Sequence, residues 1–181
     1  KDLERISSMK TPNSILGIFY KKPSITLREM QTCDNILILN DIQDPGNMGT
    51  ILRTAEWLGY FNIISTLNSV DLYNPKVVQS SMGSVVGINM IYLNLDEINI
   101  LCYSHTLLAT DTDGEDIREV KITGHFALII GNEGNGIDEK LLSMATKKIK
   151  IPRNNVSNLP ESLNAATAAA ICMWQLTISN S

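Results

Sequence analysis

Three segments of the sequence place polar side chains directly after apolar runs, and in two of them glycines lie beside the polar residues. The first is NDIQDPGNMGTILRTA at 40–55, which carries Asn47 and Arg53. An asparagine in a turn and an arginine early in a helix together suit the binding of an anion or a ribose. The alternative is that Asn47 caps the helix and Arg53 forms a surface ion pair with Glu56. The spacing leaves both interpretations open.

The second segment is the glycine-rich stretch GNEGNGI at 131–137, which follows the apolar run FALII. Its glycines let the backbone approach a ligand closely or adopt positive φ, and Glu133 lies just beyond the strand. The spacing fits neither G-x-G-x-x-G nor a Walker loop, so no ordinary nucleotide-phosphate site is predicted. A plain glycine-rich turn is the alternative interpretation.

The third segment, IKIPRNNVSNLPESLNAATAAA at 149–170, runs from a strand through a polar loop into the last predicted helix. We predict that Glu161 or Ser162 caps this helix, whose first N–H groups also suit a carboxylate or phosphate ligand. Neither His105 nor His125 lies near Ser162 in the sequence, and G-x-S-x-G is absent, so a serine-hydrolase triad is not expected.

The residues around these segments predict an α/β fold. Short apolar runs alternate with helix-like stretches, which is typical of a mostly parallel sheet with helices on both faces. The predicted strands are Ile15–Tyr20, Ile36–Asn40, Phe61–Ser65, Met90–Leu93, Thr106–Thr110 and Phe126–Gly131. The predicted helices are Asn47–Leu58, Pro75–Met82, Asp138–Ala145 and Ser162–Ile178. Ligands of such sheets bind beyond the carboxyl ends of the strands, where all three segments fall.

Composition narrows the class of protein further. The chain has 181 residues, 44% of them hydrophobic, and a net charge of −4, which fits one ordinary domain and excludes a disordered chain. No apolar run is long enough to cross a bilayer and the first residues lack a signal-peptide core, so a cytoplasmic protein is expected. Cys33, Cys102 and Cys172 are odd in number and widely spaced, which favours reduced thiols over a disulfide framework or a metal site.

Two charged clusters and the last helix complete the pattern. The acidic cluster is expected to be a solvated loop and consists of Asp111, Asp113, Glu115, Asp116 and Glu119. The basic cluster is expected either to meet nucleic-acid phosphates or to be solvated on an exposed strand, and consists of Lys147, Lys148, Lys150 and Arg153. The last helix is apolar around its circumference, so we expect it to be buried in the core or at a subunit interface.

Together, the three segments resemble the SpoU-type RNA ribose 2′-O-methyltransferases of the SPOUT class. DPGNMGTILRTAEWLGY is similar to the first motif of that family, LIIGNEGNGI to the second and IPRN…ESLNAATAAAI to the third, in the same order. The resemblance covers about Ile15 to Ile178. Residues 1–30 resemble the linker and first strand that follow a small RNA-binding domain in longer members, which leaves 31–181 as the methyltransferase domain.

The resemblance implies a C-terminal deep trefoil knot, a homodimer and S-adenosylmethionine as the methyl donor, with no metal. Main-chain groups of four residues would hold the cofactor, namely Thr110, Gly131, Ile151 and Leu163. The functional polar residues implied are Asn47, Arg53, Glu133, Ser162 and Asn164. The third motif departs from the family pattern, because Arg153 replaces a methionine and NNVSNLP lengthens the loop.

The reaction that the resemblance implies is methyl transfer to a ribose 2′-hydroxyl of ribosomal or transfer RNA, with ribosomal RNA favoured by the N-terminal linker. An arginine keeps its proton, so we expect Arg53 to bind an RNA phosphate and stabilise the developing alkoxide. In this hypothesis, Asn47, Glu133 and Asn164 fix Arg53 and the loops. The alternatives are a non-catalytic RNA-binding or assembly protein with this fold, and a SPOUT enzyme that methylates a base.

Overall fold

The computed structural model describes residues 5–7, 11, 14–154 and 162–179. Its strands are β1 (Asn35–Leu39), β2 (Asn62–Thr66), β3 (Asn89–Leu93), β4 (Thr106–Asp116), β5 (Phe126–Ile130) and β6 (Lys147–Lys150). They form one sheet in the order β3–β2–β1–β5–β4–β6, and every neighbouring pair is parallel. The prediction of a mostly parallel sheet is confirmed.

Helices cover both faces of this sheet, as predicted. They are α1 (Leu27–Gln31), α2 (Pro45–Trp57), α3 (Pro75–Ser80), α4 (Leu95–Leu101), α5 (Glu139–Ser143) and α6 (Ala165–Ser179), with a 3₁₀ turn at Ser84–Val86. In β1, Leu37 and Leu39 belong to the cluster formed with α2, α3 and α6, whereas Ile36 and Ile38 belong to the cluster formed with α1, α4 and α5. Successive strand side chains point to opposite faces, so these clusters are the two cores.

The start of α2 is determined by Asp44 and Pro45. The Asp44 carboxylate accepts a hydrogen bond from the backbone N–H of Asn47 at 2.7 Å, and Pro45 occupies the first helical turn, where its missing N–H costs nothing. The interpretation of Asn47 as the cap is therefore wrong. Asn47 lies inside the first turn, and its side chain is left available for other contacts.

The predicted strand Ile15–Tyr20 is wrong, because this segment has no regular secondary structure and three of its large side chains, Ile18, Phe19 and Tyr20, are about nine-tenths exposed or more. Its β-branched and aromatic residues suit a strand, but a strand also needs a neighbour for its backbone groups. Helices α1 and α4 were not predicted. Both begin with a capping box, formed by Thr26 with Glu29 and by Asn94 with Glu97, and this was the signal in the sequence.

Strand β4 runs beyond its predicted end at Thr110, through an irregularity in its pairing with β6. Much of the acidic cluster therefore lies on a strand, so the prediction of a loop is wrong for these residues, whereas Asp113, Glu115 and Glu119 are exposed as expected. Lys148 Nζ lies 2.9 Å from Asp111 Oδ2, and Lys147 Nζ lies 4.0 Å from Glu115 Oε2. The hydrogen bond from Lys148 lowers the pKa of Asp111. Part of the basic cluster is thus paired with acids of the neighbouring strand.

After β6, at the edge of the sheet, the chain returns to the centre, where α6 packs against α2 and β5. The connection through 155–161, including the lengthened loop and the predicted cap Glu161, lies outside the described residues, so the knot stays a prediction. Helix α6 begins at Ala165, three residues later than predicted. Within the described ranges, no helix has the length and apolarity needed to span a membrane.

Candidate active site

The turn after β1 and the loop after β5 begin side by side, because these two strands are neighbours with Leu39 in register with Ile130. The turn leads into α2, whose first helical turn carries Asn47, while the loop carries Glu133. Helix α6 packs against both α2 and β5, so its first residues lie beside the same two segments. The three polar segments therefore meet at the carboxyl ends of the central strands, which is where open parallel sheets bind ligands.

Glu133 is the centre of a hydrogen-bond network that joins the three segments. Its Oε1 accepts hydrogen bonds from Nδ2 of Asn47, from Nδ2 of Asn164 at 3.4 Å and from the backbone N–H of Ala165 at 3.3 Å. Asn164 Nδ2 also donates to Oδ1 of Asn47 at 2.9 Å. Bonds to a charged acceptor are stronger than neutral ones, so the carboxylate holds the three segments together.

Asn164 is also the N-cap of α6. Its Oδ1 accepts hydrogen bonds from the backbone N–H groups of Ala166 at 3.0 Å and Thr167 at 3.2 Å. The prediction that Ser162 or Glu161 caps the helix is therefore wrong for Ser162, which lies exposed two residues earlier. The amide of Asn164 is fixed in one orientation, with its oxygen toward α6 and its nitrogen toward Glu133. The positive end of the α6 dipole also favours a carboxylate at this position.

The loop that carries Glu133 is closed by its own backbone. Asn132 and Gly136 exchange two backbone hydrogen bonds of 2.9 Å, and Gly136 has a φ of 69°. A Cβ on Gly131 would lie 2.5 Å from the backbone carbonyl of Gly136, so only glycine fits there. The interpretation of this stretch as a glycine-rich turn is thus confirmed, and the turn also presents Glu133.

Asn132 and Asn40 were not singled out from the sequence, yet both connect the two turns. Asn132 Nδ2 donates to the backbone carbonyl of Asp41 at 2.9 Å. Asn40 is 2% exposed, and its Oδ1 accepts a hydrogen bond of 2.6 Å from the backbone N–H of Asp138. The signal in the sequence was an asparagine directly beyond a strand, a residue type suited to bonding nearby backbone groups.

Arg53 does not join the Glu133 network. It is exposed and lines a shallow cleft of about 380 Å³ with Thr50, Thr54, Trp57 and Ser80. Six helical residues rotate its side chain by about 240° from that of Asn47, so the two point in different directions. Within the described residues, Arg53 forms no hydrogen bond or ion pair, and the surface pair expected with Glu56 is not formed.

The four residues implied for the cofactor are brought to one region. Gly131 and Ile151 directly follow β5 and β6, and Thr110 lies within β4, the strand between them, in register with Ile149 of β6. Leu163 directly precedes Asn164 and is therefore close to the Glu133 loop. The hydroxyl of Thr110 donates to the backbone carbonyl of Ile129 at 3.1 Å, so this side chain is already engaged within the sheet. Main-chain groups are thus the more suitable donors and acceptors here.

No group of three or more metal-ligating side chains occurs within the residues that the structure describes. The free cysteines are also unsuited to chemistry, since Cys102 and Cys172 are buried and desolvation raises the pKa of each to about 12. The ring centroids of His105 and His125 lie 5.7 Å apart. The two residues directly precede β4 and β5, at the amino ends of those strands and away from Glu133. The polar network around Glu133 is therefore the strongest candidate for a site.

Comparison with known proteins identifies relatives of this arrangement. Residues 34–174 match the model of the SpoU rRNA Methylase family. The 23S rRNA (guanosine(2553)-2′-O)-methyltransferase RlmP of Bacillus subtilis is 30% identical over 178 residues, which cover 94% of this chain and 67% of that protein.

Comparison with solved structures also finds relatives described as RNA methyltransferases. An RNA methyltransferase structure of the TrmH family from Porphyromonas gingivalis superposes with a TM-score of 0.79 at 29% identity, covering 97% of this chain and 70% of that one. An AdoMet-bound rRNA methyltransferase from Sinorhizobium meliloti has a TM-score of 0.77 at 28% identity, covering 85% of this chain and 60% of that one. The chain thus spans roughly two thirds of each of these three proteins.

Proposed function

The chain belongs to the SpoU rRNA Methylase family, and from that premise we propose that it transfers a methyl group from S-adenosylmethionine to a ribose 2′-hydroxyl of ribosomal RNA. The observation that carries this proposal is the network in which Glu133 joins Asn47 and Asn164. Each of these residues comes from a different motif, and all three meet at the carboxyl ends of the central strands. We favour ribosomal over transfer RNA as the substrate, because two of the three relatives named above are rRNA methyltransferases.

The residues present fit the proposed methyl donor. The carboxyl ends of β5 and β6 offer main-chain groups at Gly131 and Ile151, Thr110 lies in β4 between these strands, and Leu163 completes the set. Because Gly131 lacks a side chain, the backbone stays within reach of a ligand at the point where the loop turns back on itself. When bound, S-adenosylmethionine supplies the electrophilic methyl group.

The polar residues orient the substrate and stabilise the charge that develops on it. The ribose 2′-oxygen forms a bond to the methyl carbon as the bond from carbon to sulfur breaks, and the hydroxyl proton leaves to solvent or a nearby acceptor. Arg53 binds an RNA phosphate and stabilises the developing alkoxide, since a guanidinium keeps its proton and cannot serve as a base. Asn47, Glu133 and Asn164 hold the walls of the site, and Ser162 lies exposed at its entrance.

A homodimer completes the proposal. Four large apolar side chains are exposed on α2 and α6, two helices that pack against each other: Trp57, Ile171, Trp174 and Ile178. Exposed apolar side chains on adjacent helices favour burial against another protein surface. Arg53 shares the exposed face of α2 with Trp57, so a partner seated there brings Arg53 to the interface, and the site spans the dimer. The return of the chain from β6 to the centre supports the knot, and the rRNA substrate supports a cytoplasmic location.

The test is methylation of ribosomal and transfer RNA transcripts by the purified chain, followed by nuclease P1 digestion and mass spectrometry of the nucleosides. We expect the methyl group on a ribose of ribosomal RNA. A methyl group on a base supports the base-methylating alternative. Binding of S-adenosylmethionine and RNA without any transfer supports the non-catalytic alternative. Arg53→Ala is the control, because it removes the proposed charge stabilisation without disturbing a contact among the described residues.

A further inference from the structure

We propose that Asn132 is a positioning residue, which holds Glu133 within hydrogen-bonding distance of Asn47 by tying the loop after β5 to the turn after β1. The inference deepens the proposed function and rests on it, since it concerns the same site. Glu133 lies in the loop after β5 and Asn47 in the first turn of α2, which follows the turn after β1, so their hydrogen bond requires that this loop and this turn keep a constant separation. The Asn132 side chain is placed to set that separation.

Both the nitrogen and the oxygen of the Asn132 side-chain amide form hydrogen bonds. Its Nδ2 donates to the backbone carbonyl of Asp41 at 2.9 Å, across the gap between the two turns. Its Oδ1 accepts hydrogen bonds from the backbone N–H groups of Gly134 at 2.8 Å and Asn135 at 3.3 Å, within its own loop. The nitrogen therefore connects the loop to its neighbour, while the oxygen shapes the loop around Glu133. These contacts favour a positioning role over direct contact with substrate.

The backbone carbonyl of Asp41, which accepts the hydrogen bond from Asn132, is itself held in place. Asp41 has a φ of 55°, an uncommon backbone conformation for a residue other than glycine. The hydroxyl of Thr66 donates to Oδ1 of Asp41 at 2.6 Å and accepts from its backbone N–H at 2.8 Å. The turn is thus fixed to β2, so the carbonyl that Asn132 contacts has a defined position.

A second connection fixes the far end of the loop. The backbone N–H of Asp138 donates to Oδ1 of the buried Asn40 at 2.6 Å. Glu133 lies between this connection and the one made by Asn132. Because Asn132 is the nearer of the two to Glu133, its loss is expected to move the carboxylate more than loss of the Asn40 connection would.

The experiment compares Asn132→Asp with Asn135→Ala in the full chain. Asn132→Asp keeps the oxygen that orders the loop but replaces the donor to Asp41 with a second acceptor. Asn135→Ala is the matched control, because only the backbone of Asn135 takes part in these bonds. For Asn132→Asp we expect kcat of methyl transfer to fall at least about tenfold, since small displacements in an active site are costly. We expect Asn135→Ala to change it by less than about twofold, as is usual for exposed positions.

A double-mutant cycle with Asn47→Ala separates positioning from general destabilisation. Once Asn47 is removed, Asn132→Asp should cost less than about twofold more, because the contact that it supports is already lost. Independent, multiplicative losses would overturn the proposal.

Crystal structures of the two variants provide a readout that does not depend on activity. We expect the hydrogen bond between Asn47 and Glu133 to be broken in Asn132→Asp and kept in Asn135→Ala. An unchanged bond in Asn132→Asp overturns the positioning role. If the wild-type chain transfers no methyl group to RNA, the proposed function fails, while the two crystal structures still decide the role of Asn132.

Discussion

Asn164 and Asn47 are joined by a hydrogen bond of 2.9 Å although they lie 117 residues apart in the chain. The same Asn164 side chain caps α6 through its oxygen. One side chain therefore couples the start of the last helix to the first turn of α2 and to the carboxylate between them. Stability and site geometry depend on the same amide, but they use different atoms of it.

Replacement of Asn164 can separate these two contributions. Asn164→Ala removes the cap as well as the network, and we expect a loss of about 0.5–2 kcal/mol in the free energy of unfolding, together with loss of methyl transfer. Asn164→Ser keeps a good cap but has no amide nitrogen to donate to Glu133, so its stability should stay closer to that of the wild type while transfer falls. Urea unfolding and a transfer assay measure the two effects. Equal loss of stability in both variants would contradict this division.

Arg53 tests the charge-stabilisation hypothesis. It is exposed and has no partner within the described residues, so Arg53→Ala and Arg53→Lys should both leave the thermal midpoint almost unchanged. We expect both to lower kcat/KM, the lysine variant less, because lysine keeps the charge but not the forked geometry. Steady-state kinetics check this expectation. Undiminished transfer by Arg53→Lys would rule out a bidentate contact.

Two glycines of the loop after β5 allow a matched pair of alanine substitutions. A Cβ on Gly131 would meet backbone atoms of Gly136 at 2.5 Å, whereas a Cβ on Gly134 would approach only a side-chain oxygen of Asn132, at 3.4 Å. We therefore expect Gly131→Ala to displace the loop and to weaken the binding of S-adenosylmethionine, and Gly134→Ala to bind almost as the wild type does. Isothermal titration with the cofactor measures both. Similar affinities would show that the loop can adapt to the extra carbon.

The proposed dimer interface can be tested by placing a charged side chain in it. Trp174 is 56% exposed on α6, and a glutamate there should be strongly unfavourable once the surface is buried. We expect the wild type to have the mass of a dimer in light scattering, and Trp174→Glu that of a monomer. Tyr103→Glu is the control, because Tyr103 is 92% exposed and lies after α4, which covers the opposite face of the sheet. A monomeric wild type contradicts the proposal.

The ion pair between Lys148 and Asp111 predicts a specific acid dependence. Its hydrogen bond lowers the pKa of Asp111 below the ordinary value of 3.8. A carboxyl whose pKa is lower in the folded state contributes stability above its unfolded pKa and loses it as pH falls through the folded pKa. Asp111→Asn should therefore lower the free energy of unfolding at neutral pH and flatten its decline below about pH 4. Urea unfolding from pH 7 to pH 3 tests this, and parallel curves would contradict it.

The sequence predicted the features that depend on local patterns. Buried strands read as apolar runs, and the polar residues that follow them made Asn47 and Glu133 candidates, while the family resemblance added Asn164. Features that depend on a distant partner could not be predicted in this way. The capping of α6 by Asn164 becomes apparent only when the start of the helix is seen. The pairing of Asp111 with Lys148 requires knowledge that β4 and β6 are neighbours.

The wrong prediction of the first strand also arises because a distant partner cannot be seen in a local pattern. Ile15–Tyr20 has the composition of a strand, but composition does not supply a neighbouring strand. Asn132 was overlooked for the converse reason, since its role is to bond backbone groups of a turn that lies far away in the sequence. Contacts between distant segments are set by the topology of the sheet, which no local pattern contains.

The network around Glu133 also has a consequence for synthesis of the protein. Its three members enter the chain in the order Asn47, Glu133 and Asn164, so Asn164 is made 117 residues after Asn47 and 31 residues after Glu133. Contacts between such distant residues form late, because a long segment must be closed before they can be made. A chain translated only as far as β6 can assemble its sheet, but it lacks Asn164 and the helix that follows. Methyl transfer is therefore a property that each molecule gains only after α6 has been made.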